Sequence, residues 1–243
     1  MRIISRLDIK NEFVIKGINL EGLRKIGDPI QLANQYYLDG IDEIILIDSV
    51  ASLYGRNNLF DVVKRTTENI FIPITLGGGI RNFKDIDIAL NSGADKIAIN
   101  SAGIDNPLFI KEAIKNFGAS TITIYIEAKK RGNVWEAYKH YGREKTGINV
   151  ITWLEEVQNF GCGEILLTSV DQEGTRKGFD LELLNEIKHK IKVPLIFSGG
   201  FGKLQHLEDA LKLTKNISFA IASAFHYKNI EIKKIINEKN LYC

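Results

Sequence analysis

PITLGGGIRNFKDIDIALNSGADKIAINS (73–101) and PLIFSGGFGKLQHLEDALKLTKNISFAIA (194–222) are two copies of one phrase. Pro194 follows Pro73 by 121 positions, as Gly199 follows Gly78 and Glu164 follows Glu43, and 121 is half of the 243-residue chain. Each copy reads as apolar strand, glycine turn, amphipathic helix and second strand. A chain built of two such halves predicts a duplicated α/β architecture. The glycine turn after a strand is also a common place to hold phosphate.

Working outward, four more strands and six more helices fall into the same rhythm. Strands are predicted at 3–8, 43–48, 70–76, 96–100, 120–127, 164–169, 193–198 and 218–223. Helices are predicted at 29–39, 59–68, 82–92, 106–116, 149–160, 180–190, 203–213 and 228–238. Asp28-Pro29 and Asn106-Pro107 are helix-start signals, an N-cap residue followed by proline at the first turn. Ile110, Ala113, Ile114 and Phe117 repeat at helical spacing and mark one buried face. Strands this apolar are buried on both faces, as in a parallel sheet clad with helices. Eight βα units with a half-length repeat favour a closed (βα)8 TIM barrel of two half-barrels, occupying 1–243 as a single domain. A doubly wound open sheet is the rival, and it accounts less well for the duplication. Two longer loops, 9–28 and 128–147, follow the first and fifth strands and occupy equivalent places in the halves.

Composition fits this reading. Hydrophobic residues make up 44%, and the formal net charge is +2. Acids and bases are interleaved, so no basic block points to nucleic acid. The amino terminus has no signal-peptide pattern, and no run of ~18 apolar residues suggests a membrane span. Cys162 and Cys243 lie too far apart for a metal or redox motif. A cytoplasmic location is expected, with neither metal nor cofactor.

Three groups of residues could carry chemistry. Asp8 and Glu127 end the first and fifth strands, each with lysine two positions on (Lys10, Lys129), so LDIK and IEAK are one phrase. Carboxylates at opposite strand ends face each other across a barrel mouth, which suits paired acid/base work. Simple pairing of each with its lysine is the plainer alternative. The second group is the glycine turns, Gly77, Gly78 and Gly79 and then Gly199 and Gly200, completed by Asn100-Ser101 and Ala222-Ser223, with Gly174-Thr175 near the second. Glycine lets phosphate approach the backbone closely, so two copies suggest a substrate with a phosphate at each end. The third group is Arg2, Glu43, Lys96 and Glu164, which stand where strands begin, at the barrel bottom. From charge pattern alone, a solvated rim is the simplest account of them. The histidines 140, 189, 206 and 226 have no metal-ligand spacing. His189 and His206 are expected on helix surfaces, while His140 is a weak active-face candidate. Trp153 and Cys162 are expected to be packing residues.

The chain resembles, along essentially its whole length, the cyclase (synthase) subunits of imidazole glycerol phosphate synthase in histidine biosynthesis. The phrases that carry the likeness are RLDIK (6–10), VIKG (14–17), Gly27-Asp28-Pro29, GIDEIILID (40–48), GGGIR (77–81), GADKIAIN (93–100), Thr146-Gly147, GEILLTSVDQEGT (163–175) and SGG (198–200). Several are shared with the sister isomerase barrel of the same pathway. GEILLTS with DQEGT, the VIKG loop and the Glu43/Lys96/Glu164 set point to the cyclase.

The resemblance implies a reaction and its parts. Ammonia from a separate glutaminase subunit would attack an open-chain bisphosphate, the ribulosyl formimino aminoimidazole carboxamide ribotide. Ring closure and cleavage would yield imidazole glycerol phosphate and the aminoimidazole carboxamide ribotide. The catalytic pair falls on Asp8 and Glu127, and Lys16 on a loop lysine that contacts substrate. Gly79, Asn100 and Ser101 fall on one phosphate site; Gly174, Gly199, Gly200, Ala222 and Ser223 fall on the other, with Asp48 and Thr168 as further substrate contacts. Arg2, Glu43, Lys96 and Glu164 fall on a ring that gates an ammonia tunnel beneath the docked glutaminase, near Asp95, at the N-terminal face.

Three positions depart from the family pattern. Glu127 and Glu173 stand where aspartates are usual, and Arg6 stands where a cysteine is usual. The extra methylene of Glu127 displaces its carboxylate by ~1–1.5 Å, and such a displacement can cost about 100-fold in rate. Arg6, hard to bury, is expected to answer a substrate anion or pair with Glu127. Paralogues that channel ammonia into sugar amidation, in surface-polysaccharide synthesis, are the alternative reading of these changes.

Overall fold

The computed structural model describes residues 1–51 and 59–239. Its strands are β1 (Ile3–Lys10), β2 (Phe13–Ile18), β3 (Glu21–Gly27), β4 (Glu43–Asp48), β5 (Ile74–Gly77) and β6 (Lys96–Ile99). The second half has β7 (Ile122–Arg131), β8 (Val134–Lys139), β9 (Glu144–Asn149), β10 (Glu164–Ser169), β11 (Leu195–Ser198) and β12 (Ile217–Ile221). Eight of these are parallel and form a closed ring in the order β1-β4-β5-β6-β7-β10-β11-β12. The ring shuts where Ile3 of β1 pairs with Phe219 of β12. The eight predicted strands are these eight, so the (βα)8 barrel stands and the open sheet does not.

Boundaries shift in places. The third barrel strand begins at Ile74 rather than 70, and the fifth at Ile122, after a 3-10 turn over Ala119–Thr121. Asp28 caps its helix, accepting from the Gln31 N–H at 2.8 Å, whereas Asn106 makes no side-chain cap bond. His189 lies just beyond the helix that ends at Ile187. The stretches 9–28 and 128–147, expected as loops, are antiparallel hairpins. β2 and β3 extend β1, and β8 and β9 extend β7. They stand on opposite sides of the barrel, above the carboxyl ends of its strands.

Period-two alternation along β1 sends Ile3, Leu7 and Ile9 outward to the helices, and Ile4, Arg6 and Asp8 inward. The outer layer is the main apolar core; there the helix Pro107–Phe117 buries Phe109, Ile110 and Ala113. Trp153 and Cys162 pack in that layer as expected, whereas Cys243 falls outside the described residues. Inside the barrel, Ile4, Ile45, Ile47, Ala98, Tyr125, Leu166, Ile196 and Ala220 form a separate apolar plug. At β5 the plug has no side chain, because a Cβ on Gly77 would lie 2.6 Å from Ile47 Cδ1. No helix among the described residues is long and apolar enough to cross a membrane.

Candidate active site

The barrel floor comes first along each strand. Arg2, just before β1, bonds Glu43 of β4 at 2.7 Å and also Glu164 of β10. Lys96 of β6 bonds Glu43 at 3.1 Å and Glu164 at 3.0 Å. The four residues therefore close a ring, with Thr75 donating to Glu43 as well. A merely solvated rim is ruled out: Glu43 is 1% exposed.

Above the apolar plug lies a buried polar cluster. Asp8 accepts from Arg6 Nε through Oδ1 and from Lys16 Nζ through Oδ2, both at 2.8 Å. Lys16, carried by β2, also bonds Glu173 at 2.6 Å. Burial would raise the Asp8 carboxyl, but Arg6 and Lys16 outweigh it and hold the group well below the ordinary carboxylate range. Arg6 is fully buried and pairs with Asp8, not with Glu127 as the sequence suggested. Its remaining donors reach Thr168 and Tyr125.

Glu127 is a carboxyl of the opposite kind. Oε2 accepts from the Gly142 N–H at 2.8 Å, whereas buried Oε1 makes no hydrogen bond. Burial pushes it up to about 7; the Gly142 bond, Tyr125 and Arg6 offset this only in part. Two carboxyls in one barrel mouth with ionisation driven apart suit paired acid/base chemistry.

The glycine turns flank this cluster. Gly78 and Gly79 take φ of 87° and 72°, and Gly199 and Gly200 take 106° and 96°, the region that favours glycine. A Cβ on Gly78 would sit 2.3 Å from the Asp48 carbonyl oxygen. Asp48 itself turns back to accept from Val50 and Ala51 N–H. Around the first turn lies a cavity of about 380 Å³, lined by Asp48, Gly78, Gly79, Asn100, Ser101, Glu127, His140 and Tyr141 among others. The second turn, with Gly174, Gly199, Gly200, Ala222 and Ser223, encloses only about 10 Å³. There Asn19 N–H donates to the Glu173 carbonyl at 2.7 Å, pressing the β2–β3 hairpin onto the turn. The two phosphate candidates, alike in sequence, are unequal in space.

Residues 2–231 match the family model described as histidine biosynthesis protein. The chain belongs to the histidine biosynthesis protein family. It is 53% identical to the imidazole glycerol phosphate synthase subunit HisF of Legionella pneumophila over 206 residues, 84% of this chain and 97% of that one. It is 44% identical to HisF of Thermococcus onnurineus (strain NA1) over 243 residues, covering 99% of this chain and 96% of the relative. HisF of Clostridium botulinum (strain Okra / Type B1) is 42% identical over 238 residues, 97% of this chain and 94% of that one.

Within this histidine-biosynthesis barrel, three contributors escaped the sequence reading. Tyr125 and Tyr141 are each buried in the mouth, and burial raises both phenols well above their usual value. Tyr125 lies two positions before Glu127 on the same strand, a period-two signal hidden in an apolar run. Tyr141 had none, since it arrives on the β8–β9 turn at φ 59°. His226 is buried and bonded to the Tyr36 hydroxyl at 2.8 Å. His206, expected at the surface, is buried too, and accepts from the Gly202 N–H at 3.1 Å. His140 does line the cavity, its backbone N–H donating to Ser101 Oγ at 3.1 Å.

Proposed function

We propose that the chain is the cyclase subunit of imidazole glycerol phosphate synthase, acting on the ribulosyl formimino bisphosphate with ammonia to give imidazole glycerol phosphate and the aminoimidazole carboxamide ribotide. The observation that carries this is the unlike pair in the mouth, Asp8 ionised and Glu127 poised near neutrality, between two glycine turns. The HisF names of the relatives support the same reading over a sugar-amidation paralogue.

Ring closure needs protons taken from incoming nitrogen and given to a departing group. A carboxyl near 7 exchanges protons readily at neutral pH, and a fixed anion opposite stabilises the positive charge that nitrogen attack develops. Gly79, Asn100 and Ser101 would hold one phosphate; Gly174, Gly199, Gly200, Ala222 and Ser223 the other once the hairpin lifts. Lys16 would follow the substrate, and Asp48 and Thr168 would border it. A glutaminase subunit would dock on the N-terminal face. There Leu38 and Phe71 are 65% and 79% exposed, and the ring of Arg2, Glu43, Lys96 and Glu164 would admit ammonia.

Purified protein with the bisphosphate and excess ammonium salt should form imidazole glycerol phosphate, and Asp8→Asn should bind substrate without turning it over. Absence of product under both ammonium salt and added glutaminase would sink the proposal and favour the paralogue.

A further inference from the structure

Arg6 has no exposed surface, yet it carries a permanent charge inside the barrel. In the closed ring of eight, β1 and β7 stand opposite each other. Arg6 leaves β1 and reaches Tyr125 OH on β7 at 2.8 Å and Thr168 Oγ1 on β10 at 2.7 Å, while its Nε holds Asp8 Oδ1. The side chain therefore crosses the lumen. A guanidinium is a planar fork of donors in fixed directions, so three strands filling three directions pin it. Lys16 is different, because it arrives on the β2–β3 hairpin rather than on a barrel strand.

Beneath this bolt the aliphatic members of the plug, including Ile4, Leu166 and Ile196, offer a cation nothing. Among the described residues Asp8 is the only carboxylate bonded to Arg6, and removing its charge would leave a buried cation unpaired, a costly state. Both Asp8 oxygens accept from charged donors, so a proton arriving there cancels the charge that holds both cations. Glu127 has one oxygen bonded to a backbone N–H and the other free of hydrogen bonds.

We propose that Arg6 is a positioning residue that withdraws Asp8 from proton transfer, holding it as a fixed anion, and leaves Glu127 as the proton carrier of the pair. The inference rests on the cyclase reading above. The other titratable groups facing the bolt are Lys16 from β2, Tyr125 from β7, Tyr141 from the β8–β9 turn, Glu173 beyond β10 and His226 after β12. Both phenols are held in their neutral form, and burial lowers His226 to about 3, so it too is neutral at working pH.

Carboxyl difference infrared spectra of the whole protein between pH 5 and 9 read this without turnover. Wild type should show a carboxyl band titrating near neutrality that disappears in Glu127→Gln, and Arg6→Met should add a second band that disappears on further Asp8→Asn substitution. Arg6→Lys keeps a cation but cannot reach three strands; its spectrum should match wild type. A wild-type band that survives Glu127→Gln but vanishes in Asp8→Asn overturns the proposal, and so does an Arg6→Met spectrum like that of wild type. If Arg6→Met fails to fold, the wild-type, Glu127→Gln, Asp8→Asn and Arg6→Lys spectra decide by the first criterion. In ammonia-dependent turnover, Arg6→Lys should lose at least about 10-fold in kcat with KM little changed, since a misplaced anion affects the reacting centre more than binding. Failure of every form to turn over would overturn the cyclase reading, while the spectra judge Arg6 independently.

Discussion

Glu43 and Glu164 stand 121 residues apart in sequence and on opposite strands of the barrel, yet each bonds the same two cations, Arg2 and Lys96. The duplication that set the strand order thus also placed two equivalent acids on the floor. Neither acid has room to reach water freely: they are 1% and 6% exposed.

Removing one cation should therefore cost stability out of proportion to an ordinary surface pair. Lys96→Met leaves two acids sharing Arg2 alone, whose own side chain is 33% exposed. Breaking a buried pair typically costs 3–5 kcal/mol; with Lys96 itself partly exposed, about 2–4 kcal/mol is expected. Urea unfolding at pH 7 measures it, and a loss below about 1 kcal/mol would mean the ring is energetically a surface feature.

Glu127→Gln should stabilise the protein, but only at higher pH. The folded carboxyl lies at about 7, against an ordinary value of 4.5. Between those values the folded state binds the proton more tightly than the unfolded one, so stability falls as pH rises from 4.5 to 7 and stays reduced above. Glutamine has no such proton to lose and keeps an oxygen for the Gly142 N–H. The variant should exceed wild type by on the order of 3 kcal/mol at pH 8 and match it near pH 4.5. Melting temperatures at the two pH values check the sign, while turnover should be lost.

The ring and the barrel were legible for one reason and the mouth was illegible for another. Parallel strands buried on both faces must be apolar throughout, so EIILID and EILLTS announce themselves locally. The hairpins did not, because FVIKGI and EGLRKIG alternate weakly and turn at Asn19 and Leu20, both at positive φ without glycine. Asp8 and Glu127 were visible through the repeat. Arg6 was visible as an oddity, but its partners Tyr125 and Thr168 lie 119 and 162 residues away, beyond any local pattern. The repeat also concealed a difference: two like glycine turns lie in cavities of about 380 and 10 Å³, and the β2–β3 hairpin bonds to the Glu173 carbonyl beside the second.

Gly78→Ala should separate conformational strain from steric conflict when set beside Gly132→Ala. Both glycines have positive φ, 87° and 59°. A Cβ at 132 meets nothing within 4 Å, whereas at 78 it lies 2.3 Å from a backbone oxygen of Asp48. Gly132→Ala should cost about 1–2 kcal/mol from backbone strain alone. Gly78→Ala adds a clash that only moving β4 relieves, so at least about 3 kcal/mol is expected, with weakened phosphate binding. Equal losses in denaturant titrations would refute the close approach.

Lys16→Met tests the link between hairpin and mouth. Lys16 is 1% exposed and joins Asp8 to Glu173, so its loss leaves two buried carboxylates with one fewer cation. At pH 7 a destabilisation of roughly 3–5 kcal/mol is expected. Its pH dependence carries the argument. Asp8 in wild type is depressed below its ordinary value, so its contribution is fully present above the unfolded carboxylate pKa and is lost as pH falls through that value towards the folded one. The variant depresses Asp8 less and starts with less to lose. The gap between the two proteins should therefore be widest near neutrality and shrink below about pH 4, where both carboxylates of the unfolded chain are protonated. A gap that stays constant down to pH 3 would assign the effect to lost packing of the lysine stem rather than to its charge.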